Sequence, residues 1–407
     1  MASILKWARS ATRRSPSPPL RFPTTGFELI SDAQALDEEQ LEGFKMGLYC
    51  PLNIGDIFIS KYQVVWKLGY GVTSTVWLAH NLQFYTRDGN PQEEFEIYRR
   101  LKKGNNSHPG FPHIRTALEI FTIPRVGGDR TCLVQKPMWE SFRELKYRLP
   151  NHCFTEKILK GALKQLFLAL DYLHTENGAL EFYQSYLSDI KTDNILSEIE
   201  DESILDAVTE AEINSPSPRK VINGTTVYAS RRFDVPRIFG DLVLVDFGSA
   251  VRGDLKRNHC AGPQIYRAPE VMIKAPWSYP IDIWNVGAMI WDLFEGKHMF
   301  HGEDSDGKDY STCAHLAEVI GMLGPPSLEF LERGIRTPEF FDKQGQWIAE
   351  MPIAKDMELE KSELRFQGRN KEMFLNMMRG MLQWRPEDRK STRQLADDSW
   401  INEIHIT

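Results

Sequence analysis

Cysteine is scarce in this chain, and no two of its cysteines are close in sequence. The 407 residues hold five cysteines and no CxxC pair, at Cys50, Cys132, Cys153, Cys260 and Cys313. Disulfide frameworks and zinc sites usually draw on closely spaced cysteines, so this spacing argues against both and favours a reducing compartment. The apolar runs are short, far below the roughly 20 residues that a membrane-spanning helix needs.

A strong excess of one charge is also missing. The net charge is -7 at pH 7, with 26% charged and 42% hydrophobic residues. This balance gives no indication of general nucleic-acid or membrane binding. The length and the apolar content are sufficient for one large core or for two lobes. We therefore expect a globular protein that makes no direct contact with nucleic acid or membrane.

Acidic residues are absent from the first 22 positions, which carry the basic residues Lys6, Arg9, Arg13, Arg14 and Arg21. Two interpretations fit. A disordered arm is favoured by the Ser-Pro-rich run at residues 15–19, whereas an Arg-rich and acid-poor end is also typical of a mitochondrial presequence. We see no apolar run of the kind that indicates a secretory signal. Residues 1–60 are expected to form an arm and lead-in, partly disordered.

The apolar pattern divides the rest of the chain into a β-rich part and a helical part. From Tyr62, alternating and β-branched residues predict two strands around a glycine-containing turn. QEEFEIYRRLKK has helical spacing, and two strand-like runs follow within residues 116–138. Beyond them, TEKILKGALKQLFLALDYLHTE and PIDIWNVGAMIWDLFEG predict an amphipathic helix and a buried helix.

Basic residues are absent from the segment 198–212. Most such charge runs are solvated surface, so a surface insertion is the favoured interpretation. The alternative is an acidic surface that attracts basic peptides. The segment contains seven acids: Glu198, Glu200, Asp201, Glu202, Asp206, Glu210 and Glu212.

A glycine-rich stretch lies between the first two predicted strands. It runs from Leu68 to Val76, with Gly69, Tyr70 and Gly71 near its start. Glycines let the backbone approach a phosphate closely, and free N–H groups in such a turn bind anions. Ordinary hairpins also contain glycine turns, so this stretch alone is a weak signal.

A second stretch, SDIKTDNIL, places an Asp, a Lys and an Asn at the spacing of a phosphotransfer loop. In that chemistry Asp189 accepts the proton of the substrate hydroxyl, Lys191 lies near the transferred phosphate, and Asn194 holds magnesium. The same letters could cap a helix, so this signal is moderate by itself.

A third stretch is the apolar run LVLV followed by Asp246-Phe247-Gly248. At the end of a strand, Asp246 would chelate a magnesium ion that bridges phosphates. YRAPE follows at residues 266–270 and DIWNVG at residues 282–287. All of these in this order form a specific signal.

With these motifs the sequence resembles the eukaryotic protein kinases over about residues 60–404, and most closely the SR-protein kinases in their fungal form. The resemblance implies an α+β, two-lobed fold with a small β-rich N-lobe (61–138) and a large, mainly helical C-lobe (139–404) that carries an acidic insertion at about 198–238. It also implies ATP and Mg²⁺ as cofactors and phosphorylation of serine in Arg/Ser-rich splicing or RNA-processing factors. A monomer of the cytoplasm and nucleus is expected.

The resemblance also assigns roles around the nucleotide. Leu68, Gly69, Tyr70, Gly71 and Val76 would cover ATP. Gln135 takes the gatekeeper position, and Pro137 has no N–H, so Met138 would donate to adenine while Lys136 supplies a carbonyl. Leu196 would lie under the adenine. Glu94 takes the position of the family's helix glutamate, which pairs with the lysine of the third strand. In the large lobe, Glu270 would pair with Arg389, and Asp282 would hold the catalytic-loop backbone.

Lysine is absent from residues 77–94, where the family has a strand whose lysine grips the α- and β-phosphates. The interval between Val76 and Glu94 is also about one strand too short. We therefore expect that this strand is deleted, and Arg87 is a poor substitute because a guanidinium differs in size and geometry from an ammonium. A non-catalytic pseudokinase that binds nucleotide or protein is the alternative function.

A second departure precedes Asp189, where Leu187-Ser188 replaces the family's His-Arg or His-Thr. The link before it, NGALEFYQSYLS, is longer than usual by about six residues. Ser188 fits a kinase that needs no activation-loop phosphate, whereas the absent His weakens support for the loop. Both departures have sharp boundaries, which a faulty gene model or a decaying paralogue would each produce.

Overall fold

The computed structural model describes residues 18–41, 49–71, 74–80, 82–87, 92–125, 129–175, 185–187, 189–222, 224–252, 257–304 and 306–403. The chain forms two compact units. The first, here called the small unit, groups Met1–Gly89, Glu119–Val134 and Glu202–Asp234. The second, the large unit, groups Asn90–Leu118, Gln135–Asp201 and Val235–Thr407.

A six-stranded sheet forms the centre of the small unit. Its strands are β1 (Ile57–Phe58), β2 (Tyr62–Tyr70), β3 (Ser74–Ala79), β4 (Leu82–Arg87), β5 (Glu119–Ile123) and β6 (Arg130–Gln135). They lie in the order β1-β2-β3-β4-β6-β5. Valine, tryptophan and tyrosine are frequent in β2 and β3, as expected for strands of a pleated sheet. The strands predicted from Tyr62 and within residues 116–138 are confirmed.

The structure contradicts the predicted deletion of the third strand. β4 pairs with β3 residue for residue, from Ala79 opposite Leu82 to Ser74 opposite Arg87, and it lies between β3 and β6. Only two residues separate β3 from β4, so a tight hairpin accounts for the short interval. The strand is present, but its sequence, LQFYTR, contains no lysine.

The insertion also folds differently from the prediction, because residues 202–234 belong to the small unit. They form helix α4 (Ser203–Asn214) and a hairpin of β10 (Arg219–Ile222) and β11 (Thr225–Tyr228). The ring of Tyr228 contacts Trp77 of β3 edge-on, with ring centroids 5.8 Å apart. Both side chains belong to a buried apolar cluster that also includes Cys50, Leu52 and Cys132. A buried aromatic contact of this kind is what retains the insertion.

The large unit holds two small sheets. One has the order β12-β9-β7, formed by β7 (Met138–Ser141), β9 (Ile195–Ile199) and β12 (Phe239–Leu244). The other pairs β8 (Ser185–Leu187) with β13 (Ala250–Arg252). The α-helices outside the insertion are α1 (Gln92–Lys103), α2 (Phe142–Arg148), α3 (Glu156–Thr175), α5 (Pro269–Met272), α6 (Pro280–Phe294), α7 (Thr312–Leu323), α8 (Leu328–Leu331), α9 (Leu359–Ser362), α10 (Gly368–Met381), α11 (Thr392–Ala396) and α12 (Ser399–Asn402).

Helix α6 lies in the core of the large unit, as its nearly unbroken apolar sequence predicted. Every residue from Ile281 to Phe294 is buried. Trp291 stacks on Phe374 of α10 with centroids 6.0 Å apart, and Phe374 also contacts Trp400 of α12 at 4.9 Å. Aromatic side chains of this size each remove roughly 150–250 Å² from water, so this cluster is a main source of stability. Within the described residues, no helix is long and apolar enough to cross a membrane.

A buried histidine in helix α7 couples the stability of the large unit to pH. His315 is fully buried, and its Nδ1 lies 3.0 Å from the hydroxyl of Tyr310. Burial, with a smaller contribution from the charge of Arg267, lowers the pKa of His315 to about 3. Below pH 6.5 the unfolded state therefore binds a proton that the folded state does not bind until about pH 3.

We predict that the free energy of unfolding falls by about 2 kcal/mol more between pH 7 and pH 5 in the wild type than in His315→Gln. The substitution lowers stability at pH 7, but glutamine does not titrate, so the proton uptake of residue 315 no longer contributes to the pH dependence. Urea unfolding at both pH values measures the difference. His152→Gln, at an exposed histidine, is the control and should keep the wild-type pH dependence. Equal pH dependence in His315→Gln and the wild type would contradict the assignment.

Candidate active site

Asp189, Lys191 and Asn194 form one hydrogen-bonded group. The Lys191 ammonium donates to Asp189 Oδ2 at 2.7 Å. The Asn194 side-chain amide donates to the Asp189 carbonyl at 2.9 Å and to its Oδ2 at 3.2 Å. Asn194 is buried, whereas the side chains of Asp189 and Lys191 keep 23% and 36% of their surface exposed. The carboxylate is thus held in a fixed orientation that is still open to solvent.

Asp246 is placed next to this group by strand pairing. The ladder of β12 and β9 sets Leu244 opposite Ile195, and the Val245 N–H donates to the Asn194 carbonyl at 2.9 Å. Asp246 follows directly, in a left-handed conformation with φ of 60°. Non-glycine residues rarely adopt this conformation outside special turns, and such residues concentrate at functional sites. The Asp246 carboxylate accepts from the Gly248 N–H at 3.1 Å and is exposed.

Strand β8, which precedes Asp189, pairs with strand β13, which follows Asp246. Strand β8 ends at Leu187, two residues before Asp189, and Leu187 lies opposite Ala250 of β13. Phe247, which follows Asp246, is fully buried. The ring of Tyr98 in α1 meets the Phe247 ring edge-on, with ring centroids 5.5 Å apart. Glu94 is buried on the same helix, four residues before Tyr98 and therefore on the same side. The predicted helix glutamate thus belongs to the helix that packs on Phe247.

The predicted adenine contacts form an apolar cluster in the large unit. Met138 of β7 packs with Val243 and Val245, and Leu196 of β9 lies against them. Leu196 pairs with Ser141, which aligns the two strands that carry these side chains. The structure therefore brings Met138 and Leu196 together.

The carbonyl of Lys136, predicted to serve adenine, already accepts a hydrogen bond from the Arg115 guanidinium at 3.2 Å. The Lys136 ammonium pairs with Glu198 at 2.9 Å. Sequence reasoning missed Arg115, since nothing in its local pattern marks it. Gln135, at the predicted gatekeeper position, is 1% exposed, and its side-chain amide has no hydrogen-bond partner among the described residues.

The glycine stretch forms the end of a hairpin in the small unit. Gly69 lies opposite Val76, and Tyr70, which is 38% exposed, lies opposite Thr75. The Gly71 N–H donates to the Ser74 carbonyl at 2.7 Å. A Cβ built on Gly69 would meet no atom within 4 Å, so the space beside this backbone is open. Leu68 belongs to β2 as predicted, whereas Val72 and Thr73 of the turn lie outside the described residues.

Comparisons with known proteins agree with this geometry. A protein kinase domain model matches residues 237–401. A serine/threonine protein kinase of Aspergillus fumigatus is 37% identical over 400 residues, which cover 96% of each chain. The chain belongs to the serine/threonine protein kinase family.

More distant relatives of the kinase include a serine/threonine-protein kinase SRPK from Physarum polycephalum, 23% identical over 90% of this chain and 92% of that protein. Protein kinase dsk1 of Schizosaccharomyces pombe is 21% identical over 90% of this chain and 85% of its own. A crystal structure of a kinase domain superimposes with a TM-score of 0.63 over 87% of this chain and 99% of that one, at 18% identity. This likeness shows the two-lobed kinase fold.

The donor set of the site suits magnesium. Mg²⁺ prefers oxygen ligands and is usually held by one or two carboxylates together with substrate phosphates. Asn194 and Asp246 offer an amide oxygen and a carboxylate from adjacent strand ends, since the Val245 N–H next to Asp246 donates to the Asn194 carbonyl. In the described part of the chain, no group of three or more His, Cys, Asp or Glu side chains is arranged to hold a metal ion. A two-ligand site completed by nucleotide phosphates is the arrangement that these residues fit.

A buried ion pair and a buried histidine–aspartate contact support the large unit of the kinase. Arg389 donates through both terminal nitrogens to the Glu270 carboxylate, at 2.6 and 2.7 Å, and both side chains are 1% exposed. Asp282 is fully buried and its Oδ2 lies 2.8 Å from His174 Nε2. Sequence reasoning did not assign His174, although its place at the end of α3, in the motif LHT, was a usable signal.

We predict that Arg389→Ala lowers the free energy of unfolding by about 3–5 kcal/mol, because it leaves the buried Glu270 carboxylate without its partner. Arg385→Ala is the control. Arg385 lies four residues earlier, is 34% exposed and pairs with Glu329 on the surface, so its loss should cost less than about 1 kcal/mol. Chemical denaturation measures both. The prediction fails if the two variants lose the same stability.

Proposed function

We propose that the kinase transfers the γ-phosphate of ATP to serine in basic, Arg/Ser-rich proteins. The observation that supports it most directly is the bonded group of Asp189, Lys191 and Asn194, joined by backbone pairing to the segment that follows β12 and leads to Asp246. These are the four residues that phosphoryl transfer requires from this unit.

Each residue has a distinct task in the proposed reaction. Asp189 orients the substrate hydroxyl and accepts its proton, for which its partly exposed carboxylate is suitably placed. Lys191, already beside that carboxylate, neutralises charge on the transferred phosphoryl group. Asn194 and Asp246 would hold the metal ion, and Mg²⁺ would supply positive charge that offsets the charge developing on the phosphates.

The preference for basic substrates is supported by the resemblance to SR-protein kinases and by a row of acids on α4. Glu202, Asp206 and Glu210 are exposed and four residues apart, so they lie along one side of the helix and its N-cap. Other acids of the segment have internal partners: Glu198 pairs with Lys136, and Glu212 is buried against Arg231. The predicted acidic surface is therefore narrower than the acid run that indicated it.

We predict that Asp189→Asn lowers phosphate transfer to an Arg/Ser-repeat peptide by at least about 100-fold, since it removes the proton acceptor while keeping the side-chain shape. Asp193→Asn is the control in the same loop. Asp193 pairs with Arg143 at 3.1 Å on the surface, and its loss should leave the rate within about twofold. Radiolabelled ATP measures the transfer.

If the wild type transfers no more phosphate than Asp189→Asn, the enzyme interpretation is wrong. The alternative is then a pseudokinase that binds nucleotide or protein without transfer. One observation favours this alternative: β4 occupies the family's third-strand position but contains no lysine. Binding of Mg-ATP by calorimetry, with no transfer, is the result that the alternative predicts.

We also predict that replacing Glu202, Asp206 and Glu210 together by lysine raises KM for the Arg/Ser peptide about tenfold or more and changes kcat little. The substitutions reverse the charge of an exposed row, and the effect should shrink as salt is added. A matched triple variant at the exposed acids Glu332, Glu350 and Glu372 makes the same change in net charge. An equal rise in KM in both variants would refute a docking role for α4.

The remaining parts of the proposal follow from the resemblance. Partners would be Arg/Ser-rich splicing or RNA-processing factors, with ATP and Mg²⁺ as cofactors and no direct nucleic-acid or membrane contact. The protein would act as a monomer in the cytoplasm and nucleus. The alternative is a mitochondrial localisation directed by a presequence at residues 1–22, which lie mostly outside the described residues. Imaging of the tagged full chain distinguishes the two localisations.

A further inference from the structure

A buried lysine lies in the strand that leads into the glycine turn. Lys67 of β2 is 1% exposed, and only Leu68 separates it from Gly69. An unpaired ammonium is very costly to bury, so its partners determine where this part of the strand lies. Those partners are therefore a constraint on the glycine turn itself.

The partners of Lys67 come from two segments remote in sequence. Its ammonium pairs with Glu38 and, at 3.1 Å, with Asp37, both from the short 3₁₀ turn Asp37–Gln40 of the lead-in. It also donates to the Tyr228 carbonyl at 3.1 Å, at the end of the insertion hairpin. Asp37 in turn accepts from the Ser230 N–H at 2.7 Å, so the two segments are linked to each other.

The backbone of the strand needs this outside support because the ladder is irregular here. Lys67 lies opposite Trp77 and Gly69 opposite Val76, so two steps along β2 match one step along β3. Such a bulge leaves a residue unpaired and weakens the ladder locally. The Lys67 carbonyl accepts instead from the Arg231 N–H of the insertion, at 3.0 Å.

A second contact reaches the turn directly. The hydroxyl of Tyr49, also in the lead-in, donates to the Gly71 carbonyl at 2.9 Å. Tyr49, Glu38 and Lys67 all line one small pocket of the small unit.

We propose that Tyr49 and the Asp37–Glu38–Lys67 group are positioning residues for nucleotide binding. They fix the glycine turn from the lead-in side and thereby set the affinity for Mg-ATP. This inference rests on the proposed function for its choice of ligand. It extends the nucleotide site to Asp37, Glu38 and Tyr49 of the lead-in, which precede the expected start of the N-lobe at residue 61.

The test compares two tyrosine-to-phenylalanine variants. Tyr49→Phe removes the hydroxyl that holds Gly71 and keeps the ring. Tyr62→Phe is the matched control, because Tyr62 lies at the opposite end of β2, where its hydroxyl bonds Glu119. Two quantities are measured on the full chain: the Kd of Mg-ATP by calorimetry, and hydrogen–deuterium exchange of the amides between Gly69 and Val76.

We expect Tyr49→Phe to weaken Mg-ATP binding about three- to tenfold, as the loss of one hydrogen bond allows, and to speed exchange in the turn. KM for the peptide and the Tm should match those of Tyr62→Phe, which should bind Mg-ATP within twofold of the wild type. Lys67→Met should act in the same direction and more strongly. An unchanged Kd in Tyr49→Phe, or an equal change in Tyr62→Phe, overturns the proposal.

Failure of the proposed function gives a different result. If the wild type binds no Mg-ATP, the nucleotide role fails for the whole chain, and exchange alone decides the positioning. Faster exchange between Gly69 and Val76 in Tyr49→Phe only would then support fixation of the turn by the lead-in. Equal exchange in both variants would refute it.

Discussion

One backbone hydrogen bond, from the Val245 N–H to the Asn194 carbonyl, is the constraint on which the candidate active site depends. It lies at the end of the β12–β9 ladder and joins two residues that are 51 positions apart in sequence. Asn194 then reaches back to Asp189, and Asp246 turns outward in a left-handed conformation. A shift of one residue in this ladder would move every one of these side chains, since alternate residues of a strand face opposite ways.

Buried charge plays the same part in both units. In the large unit, Glu270 and Arg389 are bonded bidentately in the core, and in the small unit Lys67 is enclosed by acids of the lead-in. Buried pairs of this kind contribute little net stability, because desolvation offsets most of their attraction, but breaking one is strongly unfavourable. Their effect is to exclude other arrangements of the segments that they join. That explains why a lead-in and an insertion, both variable in principle, are ordered parts of the small unit.

The sequence predicted the parts of the structure that depend on local pattern. Helix α6 was evident because nearly every residue is apolar, and the spacing of Asp189, Lys191 and Asn194 reflects a loop whose geometry is local. Partners that meet through the fold were not evident. Arg115 at the Lys136 carbonyl, Lys67 with Glu38, and Glu212 with Arg231 are each separated by 19 residues or more and carry no periodic signal. The acid run predicted a wider acidic surface than the structure has, because Glu198 and Glu212 pair with Lys136 and Arg231.

The strand at the family's third position is present in this chain, but the lysine that the family carries on it is not. The interval before Glu94 was too short for a strand joined by ordinary loops, yet a two-residue turn lets Leu82–Arg87 complete the sheet. A sheet needs its central strand for hydrogen bonding, and any β-favouring sequence meets that need, whereas gripping a phosphate needs one particular side chain. β4 therefore supplies the backbone pairing that the sheet needs but not the lysine that would grip a phosphate. The strand and its lysine are therefore separable here, and Asp189, Lys191, Asn194 and Asp246 are residues of the candidate site that the fold alone would not demand.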